Sequence, residues 1–468
     1  MATVRVFNHH LHSSFYWLVM VDAILFVLAF YAGTYLYFLP EPGSFQNYLG
    51  EIPARAALFA AINVLCLAAM GLYEPRMREG ASGILMRTGG GFVAAAVAMA
   101  AIFYVLPELH LWRGIYFYSA ATAFTANLIS RAAFTALTRT EQFKSRVLVY
   151  GAGQAASAIP RYMRRRADRQ GFTLVGFVRV CGEEAKVEGE RVINLRQSLA
   201  DYTRQTEIDQ IVIALDDKRE VLPMDDLFKC RMNGVDVFDL VTFFEREAGK
   251  ILVDFASPGT MSFIDGFKRS QASKLAKRWF DLTASFLLVM FAWPFMLLTA
   301  LAIWLEDGFG APVFFRQERV GQNGKVFKVL KFRSMSVDAE GDGKARWATK
   351  NDSRVTRVGN FIRRTRIDEL PQILNVLAGD MAFIGPRPER PEFVKELSER
   401  IPYYDARHCV KPGITGWAQL CYPYGASEND ARQKLQFDLY YVKNHGLFLD
   451  FMICLTTVEV VLFGKGAR

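Results

Sequence analysis

Residues 363–371, with the sequence RRTRIDELP, combine the groups that suit a phosphorylated substrate. Three arginines lie within five residues of two adjacent carboxylates, Asp368 and Glu369. Guanidinium groups present a fixed fork of donors to phosphate oxygens, and Mg²⁺ prefers carboxylate and phosphate oxygens together. The stretch therefore predicts a site for an anionic substrate that carries a divalent cation. The alternative is a solvated helix start, in which acids near the positive end of the helix dipole pair with arginine.

The composition favours a membrane environment for these groups. The chain has 468 residues, enough for two or three domains, and 51% of them are hydrophobic. A net charge of +9 fits an anionic membrane face or nucleic acid, but the sequence holds no recognisable nucleic-acid-binding module, so we expect no nucleic acid partner. The six cysteines form no C-x-x-C pair, which argues against a disulfide framework and a zinc site.

Four long apolar stretches predict four transmembrane helices within residues 1–139, since each approaches the roughly 20 residues that a spanning helix needs. They cover residues 15–38, 54–72, 83–106 and 112–134. Basic residues concentrate between the second and third stretches and after the fourth, so the positive-inside rule places residue 140 onward in the cytoplasm. Asp22 and Asn63 lie within spans, and we assign them to helix packing because isolated polar groups offer no transport relay.

Residues 140–250 are predicted to form a small Rossmann-like α/β domain. A buried-type strand at 146–150 leads into Gly151-Ala152-Gly153 and a helical stretch, the order found in nucleotide-binding units. No acidic residue follows a second strand where a ribose contact would require it. Ligand binding, regulation and assembly therefore all stay open for this domain.

The apolar run 280–304 is interrupted by Pro294, and a proline inside a helix removes a hydrogen bond and kinks the axis. Basic residues both precede and follow the run, so both of its ends favour the cytoplasmic side. We therefore predict a re-entrant helix that bends at Pro294. The alternative is a fifth ordinary transmembrane helix.

Four motifs then occur in order: KRWFD at 277–281, a run ending in KFRSM at 312–335, a run containing RRTRIDELP and GPRPE at 351–389, and VKPGITGWAQL at 410–420. Residues 272–465 resemble the bacterial sugar transferase family, the monotopic phosphoglycosyl transferases that prime exopolysaccharide and O-antigen synthesis. With four spans and a glycine-turn domain ahead, the chain resembles the large undecaprenyl-phosphate glucose or galactose phosphotransferase form.

This resemblance implies the transfer of a sugar 1-phosphate from a UDP-sugar to undecaprenyl phosphate, with release of UMP. It implies Asp368 as the nucleophile of a covalent phosphosugar intermediate and as a Mg²⁺ contact, with Glu369 as its partner. The metal and the arginines would offset the repulsion between carboxylate and phosphate. The implied location is the bacterial inner membrane, with the catalytic domain on its cytoplasmic face.

Several further residues are candidates for substrate binding. Lys331 and Arg333 flank Phe332 on a predicted strand, so the period of two places both cations on one face. Two prolines flank Arg387 and would fix its backbone. The resemblance gives the pocket candidates Arg363, Arg387, Arg319 and Asp438.

The predicted fold class is thus a mixed α/β membrane protein with three parts. These are a transmembrane bundle at 1–139, a Rossmann-like domain at 140–250 and, after a linker at 251–271, an α+β catalytic domain at 272–468. The apolar tail 446–462 is predicted to be an interfacial helix, with a buried core helix as the alternative. A fragment starting near Ser270 is expected to keep some activity, and the middle domain and the four spans offer surfaces for a homodimer.

Two other functions compete with this interpretation. A membrane-attached nucleotide-sugar epimerase or dehydratase would also combine spans with a glycine turn, but no tyrosine here has a lysine four residues later. A non-enzymatic scaffold for polysaccharide assembly would leave the arginines and the acid pair without a purpose. The segment 337–351 is either a lid over the substrate or a solvated loop, and the sequence does not identify the sugar.

Overall fold

The computed structural model describes most of the chain, and the structural statements below concern the described residues. These are residues 3–6, 9–40, 45, 50, 52–73, 81–138, 144–163, 169, 171–180, 184–187, 189–216, 222–256, 270–308, 310–336, 354–422, 425 and 427–463. The chain divides into two compact units, one covering most of the residues up to Ala248 and the other running from Gly249. The segment 337–351, the possible lid, lies outside the described residues.

The first unit begins with two short paired strands, β1 (Thr3–Val6) and β2 (His9–His12). Four long helices follow, one for each apolar stretch, and together they confirm the predicted membrane protein. They are α1 (Ser13–Tyr37), α2 (Ile52–Ala69), α3 (Ala81–Val105) and α4 (Arg113–Thr138). The first three are long and apolar enough to cross a membrane. Helix α4 has 26 residues, or about 39 Å of helix, but it is less apolar than the other three helices.

The polar residues of α4 explain its lower apolarity, because several of them face α1. Arg131 on α4 pairs with the fully buried Asp22 on α1 at 3.0 Å. Ser130 donates a second hydrogen bond to Asp22, and Tyr73 donates a third. Asn63 donates to the carbonyl of Phe59 in its own helix. Asp22 therefore holds the bundle together, as expected for a polar group inside a span.

The middle domain has a five-stranded parallel sheet with the order β5-β4-β3-β6-β7. Numbered in chain order within the domain, the strands follow 3-2-1-4-5, which is the order of the doubly wound dinucleotide-binding fold without its sixth strand, and it confirms the predicted Rossmann-like domain. The strands are β3 (Ser145–Tyr150), β4 (Phe172–Val178), β5 (Val192–Ile193), β6 (Gln210–Ile213) and β7 (Asp236–Asp239). The helices are α5 (Gln154–Tyr162), α6 (Leu199–Gln205), α7 (Met224–Met232) and α8 (Leu240–Ala248).

The second unit starts at Gly249, two residues before the predicted linker 251–271. Ile251, Leu252 and Val253 are at most 2% exposed, and the amide of Ile251 donates to the carbonyl of Gln436 at 3.0 Å. The first part of the predicted linker is therefore part of the core of the second unit. Three neighbouring apolar residues are too short a run to reveal this from the sequence.

Helix α9 (Gln271–Asp307) contains Pro294 and remains helical through it. Near its start, Arg278 donates to the carbonyls of Val376 and Leu377, and near its end Ile303 packs in a buried cluster with Phe332. Between these contacts the helix exposes large apolar side chains. They include Phe286, Met290, Phe291, Trp293, Phe295, Leu297 and Leu298.

Both ends of α9 contact parts of the second unit that are bonded to each other, since the amide of Leu330 donates to Asn375 Oδ1 at 2.9 Å. These parts must lie on the same side of a bilayer, because a spanning helix would separate them. We infer that α9 enters and leaves the membrane on one side, as the charges around it predict. The bend angle at Pro294 stays a prediction.

The remaining elements form a compact α+β body around the site. An antiparallel hairpin, β8 (Phe314–Val320) and β9 (Val326–Phe332), precedes α10 (Arg357–Arg364) and α11 (Gln372–Ala378). Strand β10 (Ala382–Ile384) pairs in parallel with β11 (Gly413–Thr415). A Cβ on Gly413 would lie 2.0 Å from the amide nitrogen of Gly385, so the two motif glycines permit this close approach.

Four helices complete the second unit: α12 (Pro391–Arg400), α13 (Trp417–Cys421), α14 (Glu428–Asn444) and α15 (Leu447–Phe463). Helix α15 coincides with the predicted tail helix. It buries Leu449 and Ile453 completely while exposing Leu447, Phe451 and Val458. It therefore combines a core face with an apolar exposed face, which suits an interfacial position.

Candidate active site

A short 3₁₀ turn, Ile367–Glu369, carries the acid pair between α10 and α11. Arg366 precedes it in the left-handed region, with φ of 59° and ψ of 15°. This conformation is uncommon for a residue other than glycine, and such strain concentrates at functional sites. The turn ends one helix and starts another within a few residues, so both acids project from a fixed backbone.

Glu369 is held by several cations. Lys331 Nζ and Arg387 Nη2 both donate to its Oε1, at 3.0 and 2.7 Å, and Arg366 Nη1 lies 3.7 Å from its Oε2. Burial opposes ionisation of Glu369, but the charges of Arg387 and Lys331 outweigh it and hold the pKa of Glu369 well below its usual range. Glu369 is therefore a carboxylate that orders the cations around it.

Asp368 differs from its neighbour. It is half-buried, and among the described residues no donor lies within hydrogen-bonding distance and no cation within 4.0 Å of its carboxylate. Burial raises its pKa, and the charge of Glu369 raises it further, against the opposing charges of Lys331, Arg387 and Arg363. The net pKa lies above the ordinary aspartate value. Asp368 is therefore a carboxylate with cations nearby and free oxygens.

The other predicted cations have separate positions. The side chain of Arg363, in the last turn of α10, is close enough to lower the pKa of Asp368. Arg319 donates to the carbonyl of Pro388 at 3.2 Å and lies 3.7 Å from Glu389, so it borders the Pro-Arg-Pro segment. Arg333 is 6% exposed and donates to Asp307 at 2.7 Å. The structure therefore does not bring Arg333 to the acid pair.

Asp438 lies behind the site rather than in it. It is 2% exposed and pairs with Arg407 at 2.8 Å. Burial raises the pKa of Asp438 to about 6, against the opposing charge of Arg407. Arg407 Nη2 also donates to the backbone carbonyl of Arg387 at 2.9 Å. Asp438 is thus connected to the backbone of Arg387 through Arg407.

Arg407 is a site residue that the sequence reasoning missed. It is 6% exposed, and its Nη1 donates to the hydroxyl of Tyr404 at 2.7 Å. A buried Asp438 requires a cationic partner, and Arg407 lies three residues before Val410, where the VKPG motif starts. Those two facts are the signal from which Arg407 could have been found.

The KRWFD motif secures the start of α9 to the strand that leads to Arg387. Asp281 Oδ1 accepts from Lys277 Nζ at 2.9 Å and from the amide of Phe383 at 3.0 Å. Lys277 also donates to the carbonyl of Ile384 and pairs with the fully buried Asp450. Helix α9 and the strand that leads to Arg387 are therefore connected through buried polar contacts.

The acid pair can also be tested as a Mg²⁺ site. Among the described residues no group of three or more His, Cys, Asp or Glu side chains could hold a metal. Mg²⁺ often takes only one or two protein carboxylates and completes its shell with substrate phosphates and water. Asp368 has free oxygens for this role, whereas Oε1 of Glu369 is occupied. The residues present fit a Mg²⁺ ion shared with a bound diphosphate.

A second region, the glycine turn of the middle domain, resembles a phosphate site but is filled from within the chain. Asp216 follows β6 and accepts from the amides of Gln154 and Ala155 at 2.8 and 2.6 Å. These amides begin α5 and are the donors that a dinucleotide phosphate would use. A Cβ on Gly151 would lie 2.2 Å from the carbonyl oxygen of Ala214, so the glycine serves close packing here.

Two family models match the chain. One is described as bacterial sugar transferase and covers residues 272–464, and the other is described as CoA-binding domain and covers residues 68–236.

Curated relatives align with different parts of the chain. It is 31% identical over 443 residues to the UDP-glucose:undecaprenyl-phosphate glucose-1-phosphate transferase of Xanthomonas campestris pv. campestris, covering 90% of each chain. It is 41% identical over 242 residues to the UDP-N-acetylgalactosamine-undecaprenyl-phosphate N-acetylgalactosaminephosphotransferase of Aeromonas hydrophila, covering 52% of this chain and 56% of that relative. It is 40% identical over 196 residues to the exopolysaccharide production protein PSS of Rhizobium leguminosarum bv. phaseoli, covering 41% of this chain and 97% of that relative.

Proposed function

This chain belongs to the bacterial sugar transferase family, and from that premise we propose that it transfers a sugar 1-phosphate from a UDP-sugar to undecaprenyl phosphate. The products are undecaprenyl-diphosphate-sugar and UMP, and the reaction is a first membrane step of exopolysaccharide or O-antigen synthesis. The names of the Xanthomonas and Aeromonas relatives specify glucose and N-acetylgalactosamine. The identity of the sugar used by this chain is therefore the first property to determine.

The observation that carries this proposal is the contrast between the two neighbouring acids. Glu369 accepts hydrogen bonds from Lys331 and Arg387, while Asp368 has no such partner among the described residues. A carboxylate tied up by arginine and lysine is a poor nucleophile, since its lone pairs are engaged. Asp368 keeps its lone pairs free and still lies in a field of positive charge. This arrangement supports attack on a phosphate.

In the first proposed step, an oxygen of Asp368 attacks the β-phosphorus of the UDP-sugar. The bond between the β-phosphorus and the bridging oxygen breaks, and that oxygen leaves with UMP. Arg387, Lys331 and Arg363 surround the acid pair and offset the negative charge that develops on the phosphate oxygens. The sugar phosphate is then bound covalently to Asp368.

In the second proposed step, a phosphate oxygen of undecaprenyl phosphate attacks the same phosphorus. The bond to Asp368 breaks, the carboxylate is regenerated and the diphosphate product is formed. Two successive displacements let one pocket serve both substrates in turn. Mg²⁺, held by Asp368 together with phosphate oxygens, would supply further charge neutralisation when bound.

The position of the site fits substrates of opposite solubility. The UDP-sugar arrives from water, whereas the prenyl tail of the acceptor stays in lipid. Helix α9 exposes its apolar middle to lipid and joins the site at both ends. We place the protein in the bacterial inner membrane with the second unit on the cytoplasmic face, where the flanking basic residues favour it. Homodimerisation stays a prediction.

The proposal is tested by UMP release in detergent with undecaprenyl phosphate and Mg²⁺. The donors are UDP-glucose, UDP-galactose, UDP-N-acetylglucosamine and UDP-N-acetylgalactosamine, and the proteins are the wild type, Asp368→Asn and Glu399→Gln. Glu399 is an exposed acid on α12 and serves as the matched control. We expect release with one preferred donor, lost in Asp368→Asn and kept in Glu399→Gln. No release from any donor by a folded wild type would contradict the transferase, and favour a scaffold.

A further inference from the structure

The last turn of α9 ends in two adjacent acids, Glu306 and Asp307, that contact two different parts of the second unit. Glu306 accepts hydrogen bonds from the amides of Arg357 and Val358, at 2.8 and 3.1 Å. Asp307 accepts from Arg333 at 2.7 Å. Gly308 follows with a φ of 86° and ends the helix. The end of the membrane helix is therefore fastened by charge to its surroundings.

The bond of Asp307 is directed at a buried cation. Arg333 is 6% exposed, and its Nε and Nη1 have no hydrogen-bond partner in the described part of the chain. Asp307 is thus the carboxylate that compensates this buried guanidinium. Separating the two side chains would leave a buried charge without its partner, which is strongly unfavourable. Any displacement of Asp307 should therefore displace Arg333 with it.

Arg333 connects this contact to the acid pair through β9. It directly follows the strand, two residues after Lys331, whose ammonium donates to Glu369 at 3.0 Å. An extended backbone of two residues is short and stiff, so the position of Arg333 constrains that of Lys331. A shift of Asp307 would therefore be transmitted to Glu369 through the side chain of Arg333, the end of β9 and the side chain of Lys331.

Glu306 reaches the other acid through α10. Its carboxylate lies at the N-terminus of this eight-residue helix, where two amides lack intrahelical partners and negative charge is favourable. Arg363 lies in the last turn of the same helix, near Asp368. Ile303 also packs with Ile362 of α10 in one buried cluster. The end of α9 therefore sets the position of α10, and α10 carries Arg363.

We propose that Glu306 and Asp307 are positioning residues, which fix the cations around Asp368 and Glu369 relative to the membrane helix. The proposal rests on the proposed function and adds residues that contact no substrate. Their role is to make the depth of α9 in the lipid and the geometry of the pocket depend on each other. Sites held by such supporting contacts lose activity when those contacts are removed.

The kinetic test compares Asp307→Asn, Asp307→Glu and Glu306→Gln with Glu399→Gln as the control. We expect Asp307→Asn to lower kcat for UMP release by about 10- to 100-fold, with the KM values for UDP-sugar and undecaprenyl phosphate within about threefold of wild type. Asp307→Glu should recover most of the loss because it keeps the charge. An unchanged kcat, or a change confined to the KM of one substrate, would overturn the positioning role.

Hydrogen exchange gives a readout that does not depend on activity. In Glu306→Gln the amides at the start of α10 should exchange faster than in wild type and in Glu399→Gln, because a charged acceptor has been replaced. Unchanged exchange of the amides at the start of α10 would overturn the role of Glu306. This result can be obtained even if Asp307→Asn fails to fold. A wild type that releases no UMP from any donor would contradict the proposed function. An active wild type whose kcat is matched by Asp307→Asn and Glu306→Gln would contradict the positioning role alone.

Discussion

The glycine turn of the middle domain and the acid pair of the second unit both offer groups that bind phosphate, but only one leaves them available. In the middle domain, the amides of Gln154 and Ala155 are occupied by the carboxylate of Asp216. In the second unit, the cations are ordered around Glu369 while the neighbouring Asp368 stays without a bond partner among the described residues. The difference indicates that a sequence motif is not enough to recognise a functional site. The groups that would contact the ligand must also be free of hydrogen bonds from within the chain.

The largest effect that would probe this comparison is expected from Glu369→Gln. The substitution removes the charge that holds Lys331 and Arg387, and these cations can then bind Asp368 instead. We expect kcat for UMP release to fall about 100-fold, as it does when a preorganised charged group is lost. Because the charge of Glu369 raises the pKa of Asp368, the acid limb of the pH profile should also move to lower pH. The profile of kcat against pH, measured beside wild type, checks both expectations.

An unchanged rate for Glu369→Gln would mean that ordering the cations contributes nothing to catalysis. The matched control is Glu428→Gln, since Glu428 is exposed and pairs with Arg400 and Arg432 away from the acid pair. That variant should keep the wild-type rate and pH profile.

Removal of the whole first unit tests whether the second unit alone carries the chemistry. If the chemistry resides in the second unit, a fragment starting at Gly249 should release UMP within about tenfold of the full chain. A fragment starting at Ser270 lacks Ile251, Leu252 and Val253, and burial of such side chains contributes about 1.5–3 kcal/mol each. It should unfold at a lower temperature and lose activity sooner on storage. Thermal unfolding and UMP release of both fragments in detergent provide the measurement.

Equal stability of the two fragments would contradict the assignment of residues 249–256 to the second unit. Complete inactivity of a folded fragment from Gly249 would show that the first unit contributes to the reaction. The sequence predicts activity for a fragment from Ser270, and the buried segment moves the useful boundary to Gly249.

The burial of Asp438 predicts a dependence of stability on pH, because its effect on the pKa outweighs that of the pairing with Arg407. Burial raises the pKa of Asp438 to about 6, so between about pH 4 and pH 6 the folded state binds a proton that the unfolded state has lost. The free energy of unfolding must then fall as pH rises through this window. Asp438→Asn should lack this contribution, while the effect of Glu369, whose pKa is lowered from its ordinary value of 4.5, is confined to the acid end of this window and below and is shared by both proteins. Unfolding temperatures of both proteins from pH 4 to pH 7 test the difference, and parallel curves would contradict it.

The smallest effect is expected from Asp216→Ala in the middle domain. The substitution removes the acceptor of two amides at the start of α5, and loss of a cap costs about 1 kcal/mol. We expect a slightly lower unfolding temperature and UMP release within about twofold of wild type. A tenfold change in release, or a shift of the unfolding temperature on addition of a nucleotide, would show that this turn participates in function and would end the contrast between the two regions.

The sequence predicts the parts of this protein that depend on local pattern. The apolar stretches, the strand and glycine turn at 146–153 and the charged motif at 363–371 all appear as helices, strands and turns close to the expected positions. Each of these signals lies within a short window, where periodicity and turn chemistry decide the structure.

The pairing of charges could not be predicted in the same way. Asp216 is 62 residues from Gln154, and Lys331 is 38 residues from Glu369. Such contacts depend on how the elements pack, and the sequence gives no direct signal for them. This is why the sequence makes Arg333 a candidate for substrate binding although it lies beside Asp307, and why it does not reveal Arg407 as the partner of Asp438.

The covalent intermediate on Asp368 can be observed through the intact mass of the protein after incubation with its UDP-sugar and Mg²⁺ in the absence of undecaprenyl phosphate. We predict that wild type gains the mass of one sugar phosphate, that peptide mapping locates it on Asp368, and that undecaprenyl phosphate removes it. Asp368→Asn should gain nothing. A wild type that is active with undecaprenyl phosphate but carries no adduct after incubation without it, or an adduct on another residue, would contradict the claim that the unpaired carboxylate is the nucleophile.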